Sequence, residues 1–219
     1  MKIFNNTELY LDAFDRKTLS VEMFRKGKNM EDKKNIIIAV AEQMYAHFGF
    51  KKTTMEEIAK KTRIGKSTLY YYFKSKEEIF AEMIQKGLLI TKQKLSGAIN
   101  KATTPQEKIR NYILTRMKHL KELINYYTTL TDEHLDHYFF VGQARVDFFN
   151  YESNTLKSLL NEGVELNLFD IEDIDSTVRI IIIALKGLEY QLFIQETDYD
   201  LETESNLMID IIFKGIEKR

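Results

Sequence analysis

Residues 53–76 read TTMEEIAKKTRIGKSTLYYYFKSK, and the spacing within this stretch decides the fold. Thr54-Met55-Glu56-Glu57 forms a capping box: the Thr54 hydroxyl can accept from the Glu57 N–H while the Glu57 carboxylate reaches back. A short helix starting there should end near Thr62. Gly65 can open a second helix, Lys66 to Phe73, with Leu69 and Phe73 at i and i+4 turned inward and Lys66, Ser67, Thr68, Tyr70 and Tyr71 left outside. Cationic, hydroxylated and aromatic groups on one short helix suit a major groove, where they can donate to phosphates and base edges.

Working outward, Asp32 to Phe48 repeats apolar residues at helical spacing (Ile37, Val40, Ala41, Met44, Tyr45, Phe48), and Gly49 supplies the stop. Its apolar face needs cover, so it should pack across the two helices that follow in a three-helix unit. Beyond Phe73, Ser75 can cap a long helix running to about Asn100, with Glu78 at its third position. Lys76 at its start would stand beside exposed amides, a ready phosphate contact.

The chain has 219 residues, 44% hydrophobic and 30% charged, with one proline, nine glycines and no cysteine. This composition predicts a mostly α protein and excludes disulfides, thiolate metal sites and a cysteine nucleophile. The net charge of −1 conceals an asymmetry. Residues 30–76 hold ten Lys or Arg against five Asp or Glu, while the remaining residues hold 22 against 28. A local positive field around a groove-sized helix is what phosphate neutralisation requires.

Residues 1–29 lack the apolar run of a signal peptide, which predicts a cytoplasmic protein. They read as an extension with one short helix around Glu8 to Phe14, ending in the basic linker Arg25-Lys26-Gly27-Lys28; Met30 is an alternative start. Downstream, Thr104-Pro105 opens a helix expected to reach Thr131. Asp132 can cap a helix through Tyr151, followed by another to Leu166 or continuous with it. Leu168 to Asp170 is a loop. Asp173 to Gln195 is a long helix with Val178, Ile181, Ile182, Leu185, Leu188 and Leu192 in register, and Arg179, Lys186 and Glu189 exclude a membrane span. An acidic connector, Glu196 to Glu204, should precede a last helix, Leu207 to Ile216.

The first half resembles the tetracycline-repressor (TetR) family of bacterial transcription regulators. The resemblance is carried by Ala46-His47-Phe48-Gly49-Phe50, Thr53-Thr54, Ile58-Ala59 and Leu69-Tyr70-Tyr71-Tyr72-Phe73-Lys74-Ser75-Lys76-Glu77-Glu78. It implies an all-α fold with a helix-turn-helix domain over 30–76 and a larger helical effector-binding and dimerisation bundle over 77–219. It implies phosphate contacts from Thr54, Tyr70 and Lys76 and base or groove contacts from Lys66, Ser67, Thr68 and Tyr71, with Tyr72 partly structural. The chain departs from the family at Arg63, where a turn glycine is usual; a left-handed Arg63 would cost roughly 1 kcal/mol.

The partners so implied are a double-stranded DNA operator, a small effector and a second copy of the chain, with no membrane. The dimer interface is expected from Ser153 to Leu166 and Asp173 to Gln195, where Ala184 and Gly187 permit close helix approach. The candidate effector pocket is Arg116, His119, Tyr126, Tyr127, Tyr138, Arg145, Phe148 and Phe149. His134 and His137, at i and i+3, lack a fixed third ligand, so no metal is assigned, nor any cofactor. No nucleophile triad, phosphate loop or carboxylate pair stands out, so an enzyme is rejected. The function so read is a homodimeric repressor released from a pseudo-palindromic operator by an apolar or amphipathic effector. The alternative is a DNA-binding protein of the same type whose bundle lacks a pocket and serves protein interactions.

Overall fold

The computed structural model describes residues 30–126, 139–194 and 200–218, with the main chain alone at 123–126, 139–141 and 191–194. The fold is all-α. The described helices are α1 Met30–Phe48, α2 Met55–Thr62, α3 Lys66–Tyr72, α4 Lys76–Ile99, α5 Pro105–Tyr126, α6 Phe139–Glu165, α7 Ile174–Ile194 and α8 Leu201–Ile216. They divide into two compact units, one containing 30–90 and 139–142, the other 91–126, 143–194 and 200–218. The helix Glu8 to Phe14, the linker Arg25 to Lys28, the Asp132 cap and the His134/His137 pair lie outside the described residues.

In the first unit α1 turns Ile37, Val40, Ala41, Met44 and Tyr45 onto Ile58 and Ala59 of α2, Leu69 of α3, and Ile79 and Phe80 of α4. Phe48, expected on that face, is instead 55% exposed. Gly49 ends α1 in the left-handed region (φ 83°), the chain reverses, and Phe50 takes the core position. There it packs with Tyr45 and Phe80, ring centroids 4.8–5.5 Å apart. The turn between α2 and α3 is a Schellman motif. Arg63 adopts φ 53°, ψ 38°; its N–H reaches the Lys60 carbonyl at 3.2 Å, and the Ile64 N–H reaches Ala59 at 3.0 Å. The strain expected of Arg63 is therefore present.

In the second unit the buried core comprises residues such as Leu95, Ile109, Tyr112, Ile113, Leu156, Leu160, Ile181, Leu185, Ile209 and Phe213. α5 begins as expected: Thr104 Oγ1 accepts from the Glu107 N–H at 3.2 Å, and the Glu107 carboxylate accepts from the N–H groups of Thr103 and Thr104. α6 is continuous from Phe139 to Glu165 and ends in a second Schellman motif, with Asn167 left-handed (φ 59°). Gly163 lies under the Phe169 ring, so a Cβ at that position would come within 2.0 Å of it. The last helix starts earlier than expected, at Leu201, because Asp200 caps it: its carboxylate accepts from the Glu202 N–H at 3.2 Å and from the Thr203 hydroxyl at 2.6 Å. Acidic residues read as a connector are instead a favourable first turn, opposite the positive end of the helix dipole.

Candidate nucleic-acid interface

The capping box that starts α2 is formed. Thr54 Oγ1 accepts from the Glu57 N–H at 3.3 Å, and the Glu57 carboxylate accepts from the Thr54 N–H and hydroxyl at 2.9 and 2.8 Å. These hydrogen bonds hold the Glu57 carboxyl below the usual range. Thr54 thereby fixes the direction of α2 while remaining at the surface.

α3 divides cleanly between its faces. Leu69 is fully buried and Phe73, which follows the helix, nearly so. Lys66, Ser67, Thr68, Tyr70 and Tyr71 are exposed, and Tyr72 is half-buried against the core. Lys66 forms an exposed ion pair with Glu56 of α2. Such a pair adds little to stability, so the ammonium group can exchange Glu56 for an anion on a partner. An open groove of about 350 Å³ borders this face, lined by Thr54, Glu56, Tyr70, Lys74, Ser75 and Lys76 among others. Ser75 caps α4 through a hydrogen bond from the Glu78 N–H to its hydroxyl at 3.3 Å.

Lys76 sits differently from the others. Its ammonium group donates to the carbonyls of Phe50, Lys51 and Thr53 at 2.9, 3.1 and 3.1 Å and lies 4.6 Å from the Phe50 ring centroid. All three of its donors are thus turned into the protein. A lysine at a helix start is expected to reach a phosphate; here the ammonium is instead bonded to the loop between α1 and α2.

Of the expected effector residues, the structure gathers some and separates others. Arg116 is buried, paired with Glu152 and Glu189, and its guanidinium carbon lies 5.9 Å from the Phe148 ring centroid. Arg145 and Phe149 face outward on α6 rather than toward Arg116, because the same helix turns Ala144 and Phe148 inward. Tyr127, Tyr138 and the Tyr126 side chain lie outside the described residues.

His119 is buried between α5 and α4. Its Nδ1 lies 2.9 Å from the Lys94 ammonium and 3.5 Å from Glu122, and its Nε2 lies 3.1 Å from the Thr91 hydroxyl. Since the ammonium group can only donate, Nδ1 must accept and Nε2 carries the proton. Burial, then the Lys94 charge, hold the imidazole below its usual range. The unfolded chain therefore takes up this proton first as pH falls, and the stability it contributes is present above about pH 6.5 and lost below it. Thermal denaturation from pH 7.5 to 5.5 should show the wild type losing stability faster than His119→Gln. Parallel curves would remove His119 as the cause.

The packed three-helix unit, with a polar and aromatic face on its third helix, defines a helix-turn-helix protein. Residues 37–83 match the model for bacterial regulatory proteins of the tetR family. It is 33% identical over 90 residues to the HTH-type transcriptional regulator YhgD of Bacillus subtilis, covering 41% of this chain and 47% of that one. A second Bacillus subtilis regulator, YuxN, is 38% identical over 55 residues, 25% of this chain and 19% of its own length. The chain thus spans less than half of either relative. The match with QacR of Staphylococcus aureus is longer, 25% identical over 168 residues, 73% of this chain and 84% of QacR. A transcriptional regulator from Cytophaga hutchinsonii superimposes with a TM-score of 0.70 at 25% identity, covering 85% of this chain and 99% of that one. These relatives are regulators, and the family is not one of enzymes. Among the described residues, no helix is long and apolar enough to cross a membrane.

Proposed function

We propose that the protein is a cytoplasmic, homodimeric repressor that binds a pseudo-palindromic operator and is released by a small apolar or amphipathic effector. The observation that carries the DNA-binding part is the α3 surface. Five exposed residues that can touch DNA, Lys66, Ser67, Thr68, Tyr70 and Tyr71, stand on a helix anchored from behind by Leu69 and Phe73. Lys66, Ser67, Thr68 and Tyr71 read groove and bases; Tyr70 and Thr54 hold phosphates.

A dimer is supported by large apolar side chains left at the surface of the second unit. Ile180, Ile183 and Tyr190 of α7 are 64–68% exposed, and Gly187 lies in the same stripe. Val164 of α6 and Leu166 just beyond it extend the expected surface. The last helix, absent from that expectation, adds Leu207 and Ile211 at i and i+4. Its sequence, LMIDIIF, is apolar on both faces, which was the available signal. Two α3 helices related by a two-fold axis would meet successive major grooves about 34–36 Å apart. Release would follow if effector binds better to a conformation in which α4, whose residues belong to both units, holds α3 off that spacing.

Selection from random DNA should return an inverted repeat. Lys66→Ala should then change which bases are preferred, because a groove contact is lost rather than a phosphate one. Equal binding to all sequences by the wild type would reject the repressor reading.

A further inference from the structure

We infer that Lys76 is a positioning residue for DNA recognition, acting through the α2 N-terminus rather than by touching DNA. The inference rests on the proposed DNA-binding function. A lysine ammonium has three protons, and here three backbone carbonyls of one loop receive them: Phe50, Lys51 and Thr53. These carbonyls follow the C-terminus of α1, the negative end of its dipole, where a cation is favoured. Phe50, 1% exposed, closes one side of the cup with its ring. The backbone carbonyl of Lys76 itself accepts from the buried Tyr45 hydroxyl of α1 at 3.1 Å. One residue therefore ties α1, the loop after it and the start of α4.

What the tie controls is the residue that follows the cup. Thr53 is 1% exposed, and its hydroxyl donates to the Gly49 carbonyl at 2.9 Å, closing the loop a second time. The next residue is Thr54, the N-cap of α2, whose carboxylate partner Glu57 and neighbour Glu56, the Lys66 partner, depend on where the helix begins. Without the ammonium, the carbonyls of Phe50, Lys51 and Thr53 lose their shared donor. The loop then relaxes toward water, and Thr54 and Glu56 shift with respect to α3. Moving Lys76 to a phosphate would require breaking three hydrogen bonds and a ring contact in exchange for a single ionic contact at the surface.

The two roles differ in measurable ways. A phosphate contact adds about 0.9 per half-site to the slope of log K against log salt, and arginine serves it as well as lysine. A three-carbonyl cup beneath a ring suits a compact ammonium and not a planar guanidinium. Operator binding by the full chain should be measured by fluorescence anisotropy across salt concentrations for the wild type, Lys76→Ala, Lys76→Arg and Thr53→Val. The expected result is an affinity loss of roughly tenfold to a hundredfold in Lys76→Ala, with the salt slope unchanged and Lys76→Arg no better. Thr53→Val, at a side chain buried and bonded within the loop, should lower affinity in the same manner, and it decides the matter if Lys76→Ala does not fold. A slope reduced by about 0.9 per half-site, rescue by arginine, or full affinity in folded Lys76→Ala or Thr53→Val would each overturn the inference. Absence of operator binding by the wild type would instead reject the DNA-binding function on which it rests.

Discussion

Ile183→Asp is expected to leave the chain folded, convert the proposed dimer to monomer, and lower operator affinity on the order of a hundredfold or more. The argument begins with the two sides of α7. Val178, Ile181, Ile182 and Leu185 are buried in their own unit, while Ile180, Ile183 and Tyr190 are largely exposed. α7 thus carries large apolar side chains on two sides, and the described residues of a single chain cover only one of them. Aspartate at an exposed position of the free chain should change stability by no more than about 0.5 kcal/mol. Across a two-fold axis the same substitution buries two carboxylates, at several kcal/mol per ion. That is enough to weaken association by roughly a thousandfold or more. Sedimentation equilibrium gives the association state, and operator titration gives the consequence for DNA. A dimer of unchanged affinity would move the interface elsewhere, with Leu207 and Ile211 of α8 the next residues to test.

Much of this architecture was legible in the sequence because its signals are local. Thr54 with Glu57, Thr104 with Pro105, and Gly49 each act within one turn of chain, and α2, α5 and α1 begin or end where these residues place them. The apolar spacing of Leu69 and Phe73 likewise fixed which face of α3 stays outside. What was not legible concerns groups whose surroundings are set by distant partners. Lys76 meets the loop 23–26 residues before it, so its position at a helix start pointed to phosphate while its surroundings point inward. Phe48 and Phe50 compete for one core site, and only the backbone reversal at Gly49 decides between them. Asp200 was hidden by composition: an acidic run reads as solvated connector unless one member is recognised as a cap. Arg145 and Phe149 share a helix with residues that do turn inward, and a list of aromatic and basic residues cannot distinguish the two faces.

Arg116→Ala should produce the largest loss of stability among single substitutions in the second unit, about 3–5 kcal/mol, or roughly 10 °C in its melting temperature. Arg116 of α5 reaches both carboxylate oxygens of Glu152 on α6, and Glu189 on α7 meets the same guanidinium. The Arg116 and Glu152 side chains are 5% and 1% exposed, and the Tyr112 hydroxyl adds a hydrogen bond to Glu152 at 3.1 Å. One cation thus holds three helices together. Burial alone would oppose its charge, yet the two carboxylates outweigh that penalty and push the guanidinium pKa above its usual value. Removing the arginine leaves two carboxylates facing each other with no cation, whereas Glu152→Gln keeps the shape and leaves Arg116 paired with Glu189. Loss of stability should therefore fall in the order Arg116→Ala, then Arg116→Lys, whose point charge cannot span both partners, then Glu152→Gln. Chemical denaturation of the three variants at pH 7 reads this order directly. A loss below about 1 kcal/mol for Arg116→Ala, the scale of an exposed pair, would mean that water reaches the cluster. In that case Arg116 would return as a candidate wall of an effector pocket. With the predicted loss, its guanidinium is a strut between helices, and an effector would have to be recognised by other groups.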